Sequence, residues 1–279
     1  MSDAVSRKVV LVTGSSSGGI GHALCEEYAA QGCKVYATAR RLEAMEGFKH
    51  DLERLRLDVT SDEDVQSVVQ TILDKEGRID VLVNNAGVLC TGPVIDVSME
   101  ETQRAYDANL FSVIRLCKAV IPHMAARKSG TIVNISSVTA YIPTPWAGIY
   151  ASTKAALHSL SQTLYMECQP LNVAVVAVTT GAVRSNIATN RLATFAGLPA
   201  GSVYARFLPN VLERIALNQG ADSMPTHAYA RAVVRASLRA RPPRELMLGG
   251  KTLLYRLLLL LPRTLALWFF WRRMSRLVK

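Results

Sequence analysis

Tyr150 and Lys154, four residues apart in "YASTK", form the most chemically suggestive pair in this 279-residue chain. On a helix they share one face, about one turn apart. A phenol with its ordinary pKa of about 10 exchanges protons poorly at neutral pH. A neighbouring ammonium favours phenolate and lowers that value, so the pair suits proton transfer to or from a carbonyl oxygen. Alone, the two would read as an incidental Tyr and Lys on a helix. They are accompanied by Ser137 in "VNISS", Asn109 in "YDANLF", "NNAG" from Asn84 to Gly87, and "TGAVRS" from Thr180 to Ser185.

Such side chains need a frame, and the hydrophobic pattern describes one. "KVVLVTG", "KVYATA", "LRLDV", "DVLVNNAG", "GTIVNISS" and "NVAVVAVTTG" are apolar, β-branched runs suited to parallel strands covered on both faces. Between them lie "GHALCEEYAAQG", "SDEDVQSVVQTILDKEG", "SMEETQRAYDANLFSVIRLCKAVIPHM" and "YASTKAALHSLSQTLYMECQ", all of helical pattern. Strand and helix alternate, which predicts an α/β fold: a Rossmann-type, doubly wound parallel sheet in a single domain. From Ser185 to about Thr226 the periodicity weakens, as expected of a mobile substrate flap.

The first strand runs into a glycine- and serine-rich turn and a helix. Glycines there let the backbone approach a pyrophosphate, and the helix N-terminus offers free N–H groups and a partial positive charge. A glycine cluster alone is weak support; its place at the first strand-to-helix crossing strengthens it. The second strand ends in Ala39, Arg40 and Arg41 rather than an acidic residue. Paired guanidinium groups suit the 2′-phosphate of NADP(H), whereas a solvated pair of arginines is the bland alternative. Asp58, closing "LRLDV", is placed to face the adenine amino group or simply to cap a helix.

Charge and cysteine content narrow the class. The formal net charge is +10, yet no acidic residue follows Glu245. Taking the seven basic residues of the closing segment from the 32 present leaves 25 against 22 acidic ones. The excess belongs to the tail, which argues against a nucleic-acid surface. Five scattered cysteines without CxxC spacing argue against a disulfide scaffold or a metal site, and no signal peptide is expected, since the first apolar run leads straight into the glycine loop.

Taken together, from about Lys8 to Val183, these motifs resemble the short-chain dehydrogenase/reductase family. The resemblance implies that Ser137 orients a substrate oxygen and that Tyr150 is the proton donor. Lys154 would tune that tyrosine and hold the nicotinamide ribose, while Asn109 holds a water leading to solvent. Ser136 competes with Ser137; the thirteen-residue spacing to Tyr150 favours Ser137. The cofactor-binding set is then Gly14, Ser15, Ser16, Gly19, Ile20, Gly21, Arg40, Arg41, Asp58, Asn85, Ala86, Gly87, Tyr150, Lys154, Val183 and Ser185. Two departures stand out. Thr180 replaces the usual proline before Gly181, which should loosen that turn. The usual TGxxxGxG loop also carries one extra residue in "TGSSSGGIG". Gly18 is the natural surplus, because glycine bulges with positive φ at little cost. The helix is expected to keep the Gly19-Ile20-Gly21 register, with Ser15 or Ser16 reaching the 2′-phosphate.

"TLLYRLLLLLPRTLALWFFW", Thr252 to Trp271, is strongly apolar but interrupted by Arg256, Pro262 and Arg263. A span wants roughly 18 uncharged residues, so an interfacial, monotopic attachment is expected ahead of a dimer-contact helix or a span. Residues 1–249 are expected to form the catalytic domain and 250–279 a separate, membrane- or lipid-droplet-associating tail. Arg184, Arg191 and Arg206 lie near the substrate region, where solvated surface positions are the plain reading. Within the family, the likeness is strongest to fungal NADPH-dependent 1-acyldihydroxyacetone phosphate reductases of lipid droplets and the endoplasmic reticulum. It implies reduction to lysophosphatidate at the cytosolic face of those membranes, in a possible homo-oligomer. 17β-Hydroxysteroid, retinoid and terpenoid or polyketide dehydrogenases share the core pattern. A non-catalytic NADPH-sensing protein would be expected to have lost Ser137, Tyr150 or Lys154, and all three are present.

Overall fold

The computed structural model describes residues 7–276. Seven strands form one parallel sheet in the order β3-β2-β1-β4-β5-β6-β7. They are β1 Val9–Thr13, β2 Lys34–Ala39, β3 Glu53–Arg56, β4 Val81–Asn84, β5 Gly130–Ser137, β6 Val173–Thr180 and β7 Glu245–Leu248. The chain winds outward from β1 to β3, then returns to β4 beside β1. That reversal opens a crevice at the C-terminal strand ends, where ligands of such sheets bind.

Side-chain alternation divides the core. Val9 and Leu11 of β1 pack with α2 (Asp62–Glu76), α4 (Ser112–Ala126) and α5 (Gly148–Glu167). Val10 and Val12 face α1 (Ile20–Ala30) and α8 (Thr226–Ser237). The inner strands β1, β2, β4, β5 and β6 are thus buried on both faces, which explains their almost unbroken apolar sequences. Ser61 caps α2 by accepting from Asp64 N–H, and three acidic residues occupy its first turn.

Several boundaries differ from the sequence reading. β3 ends at Arg56, leaving Asp58 in the following turn, where its carboxylate accepts from Thr60 N–H and O–H. The helical run after Ser98 divides into α3 (Met99–Tyr106), a wide π turn over Asp107–Phe111, and α4. The segment expected to be a flap contains α6 (Ile187–Thr194) and α7 (Leu208–Ala216). Residue 249 does not divide the molecule either. Gly250 and Ala182 exchange backbone hydrogen bonds of 2.8 and 2.9 Å. Beyond it, α9 (Thr252–Leu259) and α10 (Arg263–Met274) bury Tyr255, Leu258, Ala266, Phe270 and Met274. Their partners include Val138, Ile142, Trp146, Phe207 and Val211, so one face of the tail belongs to the body's core. No helix among the described residues is long and apolar enough to cross a membrane.

Candidate active site

The crevice at the strand ends holds a cavity of about 770 Å³, and most of the expected site residues line it. Its floor begins at the β1–α1 turn. Gly14 and Gly18 both have positive φ, +70° and +71°, as the one-residue bulge requires. Gly19 precedes α1 without a side-chain cap, leaving the helix N-terminus open to a ligand. The expected Gly19-Ile20-Gly21 register holds. Gly21, however, lies off the cavity wall and is a packing residue: a Cβ there would stand 2.3 Å from Gly14 O and 2.6 Å from Asn85 Nδ2.

The serines separate. Ser16 lines the cavity. Ser15 does not: it is fully buried, donates to Val12 O at 3.1 Å and accepts from Cys25 Sγ at 3.3 Å. Its N–H bonds Thr38 O at the end of β2, so the loop uses Ser15 to anchor itself. Ser15 is therefore removed from the residues expected to reach phosphate. The extra residue is used as well, because Gly18 O accepts from Asn186 N–H and Ser17 O from the Asn186 amide.

Arg40, Arg41 and Asp58 form the far wall. Burial alone would raise the Asp58 carboxyl. The Thr60 hydrogen bonds and the charges of Arg40 and Arg56 outweigh it and hold the group below its ordinary value. On the β4 side, Asn85 donates its amide to Thr13 O and Gly14 O at 2.8 and 3.0 Å, while Ala86 N–H donates to Thr13 Oγ1. Gly87 is glycine for space: a Cβ would stand 2.8 Å from Asn109 Oδ1.

Asn109 sits in the π turn, fully buried and off the wall. Its side chain clasps Val88 N–H and C=O at 2.8 and 3.0 Å and donates to Thr153 Oγ1 at 3.0 Å. The residue thus fixes the β4 end against α5, one residue from Lys154. Lys154 Nζ donates to Ile135 O at 3.0 Å and lies 5.9 Å from the Tyr150 ring centroid. Burial pulls the Lys154 ammonium down to about 8. Burial also pushes the Tyr150 phenol up, against the Ser137 hydrogen bond and the charge of Arg214, which pull it down. The expected lowering by Lys154 is therefore not the governing effect; burial is. Ser137 Oγ accepts from Thr139 N–H and O–H, leaving its own hydrogen to face Tyr150 or a substrate. Ser136 instead donates to Lys154 O at 3.3 Å.

Val183 and Ser185 complete the wall. The turn before them is not loosened by Thr180. Thr180 Oγ1 and Tyr229 OH share a 2.6 Å hydrogen bond, and Gly181 N–H donates to Leu248 O at 2.7 Å. Of the three arginines near the substrate region, Arg191 is engaged by Glu101 at 2.6 Å, and Arg184 and Arg206 are exposed. Among the wall residues that were not anticipated are Arg214 of α7, Lys251 just before α9, and Tyr255 within it. Arg214 had a signal, since it follows Val211 by three residues and so falls on the buried face of an amphipathic helix.

A glycine cradle at an uncapped helix, two arginines beyond it and a Ser–Tyr–Lys cluster in one crevice define a dinucleotide-dependent oxidoreductase. The chain belongs to the short-chain dehydrogenase family, whose profile matches residues 8–195. It is 39% identical over 212 residues to the NADPH-dependent 1-acyldihydroxyacetone phosphate reductase of Schizosaccharomyces pombe, covering 75% of this chain and 71% of that one. The crystal structure of a short-chain dehydrogenase from Streptomyces avermitilis superposes with a TM-score of 0.78 at 32% identity, covering 91% and 92% of the two chains. A closed serine dehydrogenase complexed with NADP+ gives 0.75 at 25% identity, covering 88% and 95%. The protein is an NADP(H)-dependent oxidoreductase.

Proposed function

We propose that this enzyme reduces the ketone of 1-acyldihydroxyacetone phosphate to the alcohol of lysophosphatidate, working at a lipid surface. The observation that carries the proposal is the tail's share in the site: Tyr255 and Lys251 line the same cavity as Tyr150. A leucine-rich segment that presents Leu257, Leu260 and Leu261 outward therefore also walls the catalytic crevice. An acyl chain could pass from a lipid surface to the reacting carbonyl along one continuous apolar element. The resemblance to the fission-yeast reductase supports the same substrate.

Gly14, Ser16, Gly19 and Ile20 would hold the pyrophosphate, Arg40 and Arg41 the 2′-phosphate, and Asp58 the adenine. Asn85, Ala86, Gly87, Val183 and Ser185 would flank the nicotinamide half. Bound there, NADPH supplies the hydride. Ser137 donates its free hydroxyl hydrogen toward the ketone oxygen, and Tyr150 gives that oxygen its proton. Lys154 keeps a positive charge next to the phenol, so the phenolate left behind is stabilised. Asn109 keeps Lys154 and the β4 end in register, with a water at the π turn as the route for reprotonation. The leucine face would seat the molecule on the cytosolic side of the endoplasmic reticulum or on a lipid droplet.

Detergent-purified protein should oxidise NADPH with 1-acyldihydroxyacetone phosphate and not with a 17-ketosteroid or retinal. Turnover with a neutral ketone alone overturns the substrate. Tyr150→Phe should lose about 10²–10⁴-fold in turnover, the usual contribution of general acid catalysis, while NADPH still quenches protein fluorescence with unchanged affinity. Surviving turnover would remove Tyr150 as the proton donor.

A further inference from the structure

Arg214 is the least expected side chain in the cavity wall. It is 6% exposed and donates Nε–H to Thr144 Oγ1 at 2.9 Å. A guanidinium carries five N–H donors. No other acceptor and no carboxylate engages Arg214 among the described residues, and its terminal nitrogens are not among the sealed, unpartnered atoms. The adjacent acid, Glu213, is taken by Arg276 at 2.7 Å. Lys251, the cation the tail brings to this cavity, lies 3.4 Å from Asp222. A buried charge without a counter-ion costs the folded protein free energy, and an arginine cannot escape by losing its proton. Guanidinium donors without a protein partner, on a residue of the cavity wall, are what an anion receptor requires.

The surroundings specify the anion's position. Arg214 shares the wall with Tyr150 and Tyr255, and it is close enough to each for its charge to act on both phenols. Burial pushes the Tyr255 phenol up to about 12, so at neutral pH it remains a hydroxyl able to donate. Two donors from two elements, α7 and the tail, thus converge beside the catalytic tyrosine.

We propose that Arg214, aided by the Tyr255 hydroxyl, recognises a phosphate carried by the substrate a few bonds from the ketone, and so selects phosphorylated over neutral ketones. This rests on the substrate reading above, in which one methylene and one oxygen separate phosphate from ketone carbon. A guanidinium grips such a group with paired N–H bonds, which a lysine cannot reproduce.

Two arms test it on the full-length protein in detergent, with NADP+ saturating so that its own phosphate site is filled. In the first, dodecyl phosphate should bind wild type at least tenfold tighter than dodecanol. Arg214→Met should lose about a hundredfold for the phosphate, with Arg214→Lys between the two. Equal binding of both amphiphiles by wild type overturns the proposal without any variant. In the second, the ratio of kcat/KM for 1-acyldihydroxyacetone phosphate to that for its dephosphorylated form should fall about a hundredfold in Arg214→Met, mainly through KM. An equal loss on both substrates overturns the phosphate role while leaving the substrate reading intact. Conversely, suppose wild type reduces only neutral ketones, yet dodecyl phosphate competes with them through Arg214. The anion site then stands and the substrate reading falls.

Discussion

Lys154 is held almost out of water, with its ammonium given to one backbone carbonyl, Ile135 O. Burial brings its pKa from 10.5 down to about 8. Between those two values the unfolded chain keeps a proton that the folded chain has released. This residue's contribution to stability therefore rises with pH across that window, by about 3 kcal/mol for a shift of that size. Lys154→Met removes the slope. Urea unfolding of both proteins without cofactor, at pH 7.5 and pH 10, should show wild type gaining on the variant by an amount of this order. Parallel stabilities would mean that the ammonium is not desolvated. The four-residue spacing placed Tyr150 and Lys154 on one face correctly, but spacing carries no dielectric. Without the tertiary structure it could not reveal that burial, rather than the neighbouring ammonium, governs the phenol. Ser15 and Ser16 differ for a related reason: identical neighbours in sequence, one turned toward Val12 and the other toward the cavity.

At the scale of elements, the sheet was legible wherever both faces are buried, because its strands are then unbroken apolar runs. β3 alternates intermediate and exposed residues at the sheet edge, and its charged sequence misled the boundary toward the more apolar "LRLDV". β7 is four partly buried residues after two prolines, too short for any period to show. The break before α4 has no proline or glycine to mark it; Asn109 finds its partners only across the fold. The bulge at Gly18 and the Gly19-Ile20-Gly21 register were legible because their requirements are local, whereas the directions of Ser15 and Gly21 were not. Two kinds of glycine can be told apart by experiment. Gly21→Ala would drive a Cβ to 2.3 Å from Gly14 O, a backbone atom of the cradle itself. Gly32→Ala meets nothing within 4 Å and suffers only from its φ of +80°, a cost of about 1–2 kcal/mol. Both should lower the melting temperature by several degrees. Only Gly21→Ala should weaken NADPH binding, by about tenfold or more, as read by fluorescence titration. Equal affinities would show that α1 does not set the cradle.

For the whole molecule, the basic, leucine-rich tail has two faces and the sequence disclosed only one. Its composition shows an amphipathic unit but not that Trp146, Phe207 and Val211 receive its inner face. Trp146 Nε1 even donates to Met274 O at 2.9 Å, near the end of the tail. Burying Leu258, Phe270 and Met274 stabilises by about 1.5–3 kcal/mol each, a total comparable with the whole stability of an ordinary domain, about 5–15 kcal/mol. Removing residues 252–279 should therefore lower the melting temperature by roughly 10 °C or prevent folding, rather than release a soluble catalyst. The outer face can be tested without that damage. Leu257, Leu260, Leu261 and Leu265 are all at least 47% exposed, and Trp268 lies beneath Arg272 at 5.5 Å. Replacing the four leucines with serine leaves the inner contacts in place, so melting should change little. On the lipid-surface reading proposed above, sedimentation with phosphatidylcholine vesicles containing anionic lipid should fall at least tenfold, because apolar area inserted at an interface would supply the attachment. If the serine variant pelleted like wild type, the leucine face would not be the lipid contact. If the truncated chain melted like wild type, the inner face would not be part of the core.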